Sequence, residues 1–131
     1  NGMLRFGAPD LAIGVVDVRD LAEAHYRAAF RPEASGRHII SARESSLLEL
    51  ATILRNTFGN RYPFPKRTLP NGIIWLMAPL AGLSRRMVSR NMGQPWKVDN
   101  SKGIRQLDMK YRPVEESITE MFDQIVKAGL V

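Results

Sequence analysis

From Ala12 to Ser41 the hydrophobic period of the chain changes twice, and that alternation restricts the folds open to it. "AIGVV" is a short β-rich run bounded by Pro9-Asp10 before and Asp17 after. Asp17 can then cap a helix, with Asp20 supporting the same end. Leu21, His25 and Ala28 share one helical face beside Val18 and Ala22, and the helix should stop near Arg31-Pro32. "GRHIIS", Gly36 to Ser41, then reads as a continuous apolar strand opened by a glycine, in the manner of a buried parallel strand. Strand, helix, strand is α/β logic.

The remainder reads as mostly helical. Ser45 or Ser46 caps a second helix, with Glu49 placed to complete a capping box on Ser46. Leu47, Ala51, Leu54 and Phe58 line its apolar face, and Gly59 ends it. "YPFPKRTLP" is a proline-spaced extended connection. Pro70 opens an apolar helix that Pro79 kinks or ends, and residues 84–92 form another short helix. Trp96-Lys97-Val98 has the composition of a short strand, and Asp99 caps a helix running through Gln106. Pro113 opens the last helix, striped by Val114, Ile118, Met121 and Ile125 and stopped by Gly129. Residues 1–10 read as a loop with a short helical start. With 131 residues and no linker or internal repeat, the chain reads as one domain, 1–131. The fold class expected is therefore α/β, mostly helical with a few short strands.

Several functions are excluded on residue types alone. There is no cysteine, so disulfides and thiolate metal sites are ruled out, and a reducing, cytoplasmic setting fits. The only histidines are His25 and His38, without zinc-ligand spacing; His25 reads as a core histidine with a local hydrogen bond, and no metal ligand is assigned. No Gly-x-Ser-x-Gly elbow is present, the Ser45-Ser46 pair is explained by capping, and Glu115-Glu116 by the helix dipole. The longest apolar run, Gly72 to Leu83, is too short for a membrane span, which needs about 20 residues. The glycines nowhere approach G-x-G-x-x-G. Tyr62 and Lys66 have the Tyr-x-x-x-Lys spacing of reductases, but Pro63 and Pro65 forbid the helix that would bring them together. No catalytic and no cofactor-binding residue is therefore assigned.

Net charge is +6. Between Ser84 and Arg112 lie Arg85, Arg86, Arg90, Lys97, Lys102, Arg105, Lys110 and Arg112 against Asp99 and Asp108, which equals the whole excess. The plain reading is a solvated basic face; the sharper one is a module that binds an anionic polymer such as nucleic acid. Trp96 and Tyr111 could stack on bases, but the aromatics are few and no nucleic-acid-binding motif is present.

Two stretches carry a resemblance. Val16-Asp17-Val18-Arg19-Asp20, then Ala24-His25, then Gly36-Arg37-His38-Ile39 resemble, in order, the extended short-chain dehydrogenase/reductases, and most of all the dihydroflavonol-reductase-like branch of the NAD-dependent epimerase/dehydratase superfamily. The tail is similar too: Asp99-Asn100-Ser101-Lys102 matches an Asp-x-Ser-Lys helix, and Leu107-Asp108-Met109 stands where the family often has Leu-Gly-Phe. The resemblance implies the C-terminal substrate-binding lobe of such an enzyme, plus the last helix and strand of its Rossmann domain. A start at Asn1-Gly2 reads the same way, as a piece of a longer protein. NAD(P), the glycine loop and the catalytic Tyr-x-x-x-Lys would belong to the missing N-terminal Rossmann domain.

The resemblance also implies a pocket for a small-molecule substrate, and Trp75, Arg86, Met87, Arg90, Met92 and Trp96 are the candidates to line it. "RNMGQP" departs from the Arg-x-Gly-Asp-like element of nucleotide-sugar epimerases, with Gln94 after the glycine, which favours a smaller or more apolar carbonyl compound. The helix at 18–30 and the strand at 37–41 would lack their usual partners, so self-association is expected.

Overall fold

The computed structural model describes residues 6–131. It is mostly helical, with one two-stranded sheet, as the sequence indicates. Strand β1 (Ala12–Val15) is followed by helix α1 (Val18–Phe30), strand β2 (Arg43–Ser46) and helix α2 (Leu47–Phe58). Then come α3 (Asn71–Met77) with a 3-10 turn over Ala78–Ala81, α4 (Arg85–Asn91), α5 (Ser101–Leu107) and α6 (Val114–Lys127). The expected helical start within residues 1–10 falls largely outside the described residues.

The sheet corrects the sequence reading. β1 pairs antiparallel with β2, Ile13 opposite Ser45 and Val15 opposite Arg43. The second strand is therefore the polar "RESS", and Gly36–Ser41 forms no strand. An apolar strand needs a neighbouring edge to pair with, and among the described residues this stretch pairs with none. Side chains of α5 and its approach hold it instead. Lys102 Nζ donates to the carbonyls of Ser35 (2.6 Å) and Arg37 (3.2 Å), and Asn100 Nδ2 donates to that of Ser41 (2.7 Å). Trp96–Val98 is not a strand either: the Val98 N–H meets the Glu44 carboxylate (2.9 Å) where a ladder carbonyl would stand.

The helices start where capping chemistry places them. The Asp17 carboxylate accepts from Arg19 N (2.8 Å), and Ser46 Oγ accepts from Glu49 N (3.1 Å). Ala24, Leu107 and Met109 form one small core, covered by Ala34, Ile40 and Tyr111. On the other side α2 packs on α6, burying Leu50, Ala51 and Leu54. Phe122 of α6 closes that layer with Phe58, Tyr62 and Phe64, each with its ring centroid 5.0–5.1 Å from that of Phe122.

Two buried aspartates bolt α1 to the end of the chain. Asp17 accepts from Ser117 Oγ of α6 (2.6 Å), while Arg19 bridges Asp17 (2.7 Å) and Glu120 (2.7 Å). Asp20 accepts the backbone N–H of Arg112 (2.8 Å) and also its guanidinium. Arg19 and Ser117 beside it hold the Asp17 carboxyl far below the usual carboxylate range. A lowered carboxylate contributes stability above its unfolded value and loses it as pH falls. Denaturant unfolding should accordingly show the chain losing stability as pH drops below about 4, and Asp17→Asn, which keeps the cap, should lose measurably less between pH 7 and pH 3. Equal losses in both proteins would rule out Asp17 as a source of acid lability.

The departure at Leu107-Asp108-Met109 lands on a backbone that glycine would favour. Asp108 follows α5 in the left-handed region, at φ 51° and ψ 42°. Asp is among the few side chains that visit it readily. Arg27 Nη1 secures the turn from α1, donating to the carbonyls of Leu107 (2.9 Å) and Asp108 (2.5 Å). Thermal melts should place Asp108→Gly within about 1 kcal/mol of the parent, because only exposed ion pairs to Arg27 and Arg31 are lost. Asp108→Val should cost roughly 1–2 kcal/mol more than Asp108→Gly.

Candidate functional site

Ser84 Oγ caps α4 by accepting from Met87 N (3.1 Å), and Gly93 turns the chain back at φ 70° just past its end. The Gly93 N–H donates to Asp10 O (2.8 Å), so the reversal is pinned beside the entry to β1. A Cβ at Gly93 would stand 2.7 Å from Asn71 Nδ2, which could move aside, so it is the positive φ that favours glycine here. Residues 94–96 then run back along β1, and the Trp96 ring lies against Gly14. A Cβ on Gly14 would meet Trp96 Cζ3 at 2.6 Å.

This packing leaves a cleft of about 380 Å³ between β1 and α4. Its floor is Ala12, Ile13 and Gly14, its wall is Trp96, and its polar rim is Arg90, Asn91 and Gln94. Apolar walls with a few polar groups suit a small ligand. No acidic side chain lines the cleft, and Arg90 has no ion pair among the described residues. The Arg90 guanidinium is thus available to a carbonyl or carboxylate oxygen.

The six residues singled out by sequence do not share one pocket. Arg90 and Trp96 line the cleft on β1, whereas Trp75 and Met92 line a second cavity of about 280 Å³ with Asn71 and Val88. Arg86 and Met87 are exposed and line neither, because they sit about a turn farther from the Gly93 reversal. The cation over Trp75 is Arg85, its guanidinium carbon 4.5 Å from the ring centroid. Gly14 and Asn91 were missed, and Gln94 was noted only as a departure from the Arg-x-Gly-Asp-like element, not as a lining residue. A glycine inside a β run is itself a sign of close approach by another group, and that signal was available at Gly14.

Other residues of the sequence motifs hold the fold. Asp99 accepts from Ser101 N (2.9 Å) at the start of α5, and Lys102 and Arg112 of the basic segment are bound to backbone carbonyls and to Asp20. His38 Nε2 lies 2.9 Å from Gln106 Oε1. His25 does make its local bond, from Nδ1 to Leu21 O at 2.7 Å, but it is exposed rather than part of the core. Tyr62 and Lys66 lie in an irregular loop, as the two prolines dictate. Among the described residues no group of three or more His, Cys, Asp or Glu gathers as a metal site. No described helix is long and apolar enough to cross a membrane.

The chain is similar to known proteins. The chain is 30% identical over 120 residues to the NADPH-dependent methylglyoxal reductase GRE2 of Saccharomyces cerevisiae, and 29% identical over 112 residues to cinnamoyl-CoA reductase 1 of Oryza sativa subsp. japonica. The matches take in 91% and 86% of this chain. The chain is homologous to extended short-chain dehydrogenase/reductases. It spans about 30% of the length of these relatives, 31% and 28% respectively. The crystal structure of yeast methylglyoxal/isovaleraldehyde reductase Gre2 complexed with NADPH superimposes with a TM-score of 0.59 at 24% identity, covering 92% of this chain and 35% of that one. No protein-family model matches the sequence.

The contact between Gly14 and Trp96 is open to direct test. Gly14→Ala should push the indole off β1 and red-shift Trp96 emission, read in a Trp75→Phe background, with a stability loss of about 1–3 kcal/mol from overpacking. Unchanged emission would show that Trp96 does not lie on Gly14 in solution.

Proposed function

We propose that this chain is the substrate-binding part of an NAD(P)-dependent reductase of the extended short-chain type, acting on a small carbonyl compound. The observation that carries the proposal is the structural match, which takes in 92% of this chain but 35% of the NADPH-complexed reductase. A segment that fills about a third of such an enzyme contributes part of the machinery. The residues present agree with that division. They do not fit a dinucleotide: no glycine loop occurs, and Tyr62 and Lys66 are held apart by prolines. No hydride-transfer step is therefore assigned to this chain.

Its own part is binding. The cleft between β1 and α4 would take the organic body of the substrate against Ile13 and Trp96, with Arg90 and Gln94 turned to its oxygens. A cleft of about 380 Å³ suits a compact carbonyl compound better than a nucleotide sugar. The relatives' names fit that size class only in part: methylglyoxal and isovaleraldehyde are small, cinnamoyl-CoA is not. The remainder of the protein would supply coenzyme and catalytic groups. It would also cover the apolar surface that α1 leaves open, where Val18 and Phe30 are 75% and 73% exposed. In the isolated chain that surface is the one through which self-association would run.

Two measurements test the reading. The coding sequence flanking this stretch should encode a glycine-rich loop and a helical Tyr-x-x-x-Lys. The protein so completed should oxidise NADPH when given methylglyoxal or isovaleraldehyde, and Arg90→Ala should raise KM about tenfold, the loss of roughly one charged hydrogen bond. Flanking sequence without those motifs, together with nucleic-acid affinity that falls steeply with salt, would replace the reductase reading with that of a basic interaction module.

A further inference from the structure

Another cavity lies away from the cleft just described and shares no lining residue with it. It measures about 430 Å³ and sits where the end of α2 meets the proline-spaced loop. Arg55, Lys66 and Arg67 line it together with Asn60, Tyr62 and Phe64, and no acidic residue does. The charge is not balanced locally. From Ala51 to Val98 the chain has eight Lys and Arg and no Asp or Glu, and four of those cations fall between Arg55 and Arg67.

The three lining cations keep their charge unneutralised. Arg55 donates to neutral oxygens, Pro65 O (3.2 Å) and Thr52 Oγ1 (3.5 Å). Arg67 Nε donates to Phe6 O (3.3 Å). The Lys66 ammonium has no hydrogen bond or ion pair among the described residues. The walls are fixed in place before any ligand arrives. Tyr62 and Phe64 are held by Phe122, each with its ring centroid 5.0–5.1 Å away, and Arg67 O and Leu69 N pair with Ala8 (2.9 and 2.8 Å). Like charges gathered at one preorganised cavity repel one another, and a bound anion relieves that repulsion.

We propose that this cavity binds a phosphorylated small molecule carrying an aromatic ring, of the mononucleotide class. Three cations call for more than one negative charge, and planar guanidinium groups match phosphate oxygens. Half-buried Tyr62 and Phe64, inclined at 59° to each other with ring centroids 6.0 Å apart, both line the cavity, and a base can pack against one of them. The volume falls within the range of small-molecule sites, about 300–1,000 Å³. A half-open cavity of about 430 Å³ favours a small molecule over a nucleic-acid strand, which needs a groove that continues. The inference does not depend on the reductase reading, because it concerns a different part of the surface.

Isothermal titration calorimetry on the 131-residue chain tests it, with ATP, adenosine, tripolyphosphate and a uridine oligonucleotide as probes. ATP should bind, adenosine should not, and tripolyphosphate should bind several-fold more weakly than ATP. Lys66→Glu should weaken ATP by about tenfold or more, since the exposed ammonium has no structural partner and the variant should melt like the parent. Lys110→Glu makes the same change of net charge outside the cavity and should leave ATP binding within about twofold, because distant exposed charges are screened. No ATP binding at millimolar concentration, or equal weakening by both variants, would overturn the site. Tripolyphosphate binding as tightly as ATP would overturn the role of the rings. An oligonucleotide that binds far more tightly than ATP and is weakened by Lys66→Glu would replace the small molecule with a strand.

Discussion

The buried carboxylates of Asp17 and Asp20 are what the rest of the chain is arranged around. One begins α1 and the other lies in its first turn, and between them they reach Ser117 in α6 and Arg112 just before it, about a hundred residues away in sequence. A buried charge is tolerable only when its oxygens are fully occupied, and these are met by backbone N–H groups, a hydroxyl and two guanidinium groups. The chain's end is thereby locked to its beginning. With α6 fixed on α1, the apolar face of α2 and the aromatic layer around Phe122 have a surface to close against.

The same economy runs through the other charged residues. Arg43 of β2 bridges Glu49 at the start of α2 (2.6 Å) and Glu115 at the start of α6 (2.7 Å), and Arg27 secures the left-handed turn at Asp108. The cations of α1, α5 and the residues before α6 are largely committed to carbonyls and carboxylates. The segment from Ala51 to Val98 holds no acid, and four of its eight cations, Arg55, Lys66, Arg67 and Arg90, line the two places where ligands are proposed.

Gly14 and Gly93 show how backbone freedom and space make the candidate site. With a positive φ at Gly93 and no side chain at Gly14, residues 94–96 can turn back and lay Trp96 on β1. The residues of interest on α4 then separate by direction. Arg90 faces β1 while Met92 and Val88 face α3, so neighbours in sequence serve different cavities. The sequence named Arg90 and Trp96 but also Arg86 and Met87, which project from α4 without lining either cavity, because residue type carries no information about which turn of a short helix meets a strand.

Much of the local structure was legible in the sequence. Asp17, Ser46 and Gly129 mark helix ends through hydrogen bonds and φ angles that belong to those residues, and the stripe of α2 states which face turns inward. The face expected inward on α1, by contrast, has Val18, Ala22, His25 and Ala28 exposed, and Asp20 and Ala24 are buried instead, because the buried carboxylate contacts decide how α1 is turned. The order of the Asp17 and Asp99 motifs was enough to name the family that the comparisons bear out. Pairing was not legible. "GRHIIS" has the apolar content of a strand, yet the ladder formed with "RESS", because a strand exists only where a neighbouring edge accepts its hydrogen bonds. Sequence by itself determined where helices begin, where they end and which reductases this chain is related to, since those follow from local chemistry and residue order. Which segments pair, which arginines remain free and which side chains share a cavity were decided only by the tertiary structure, because each is a property of two distant pieces of chain meeting in space.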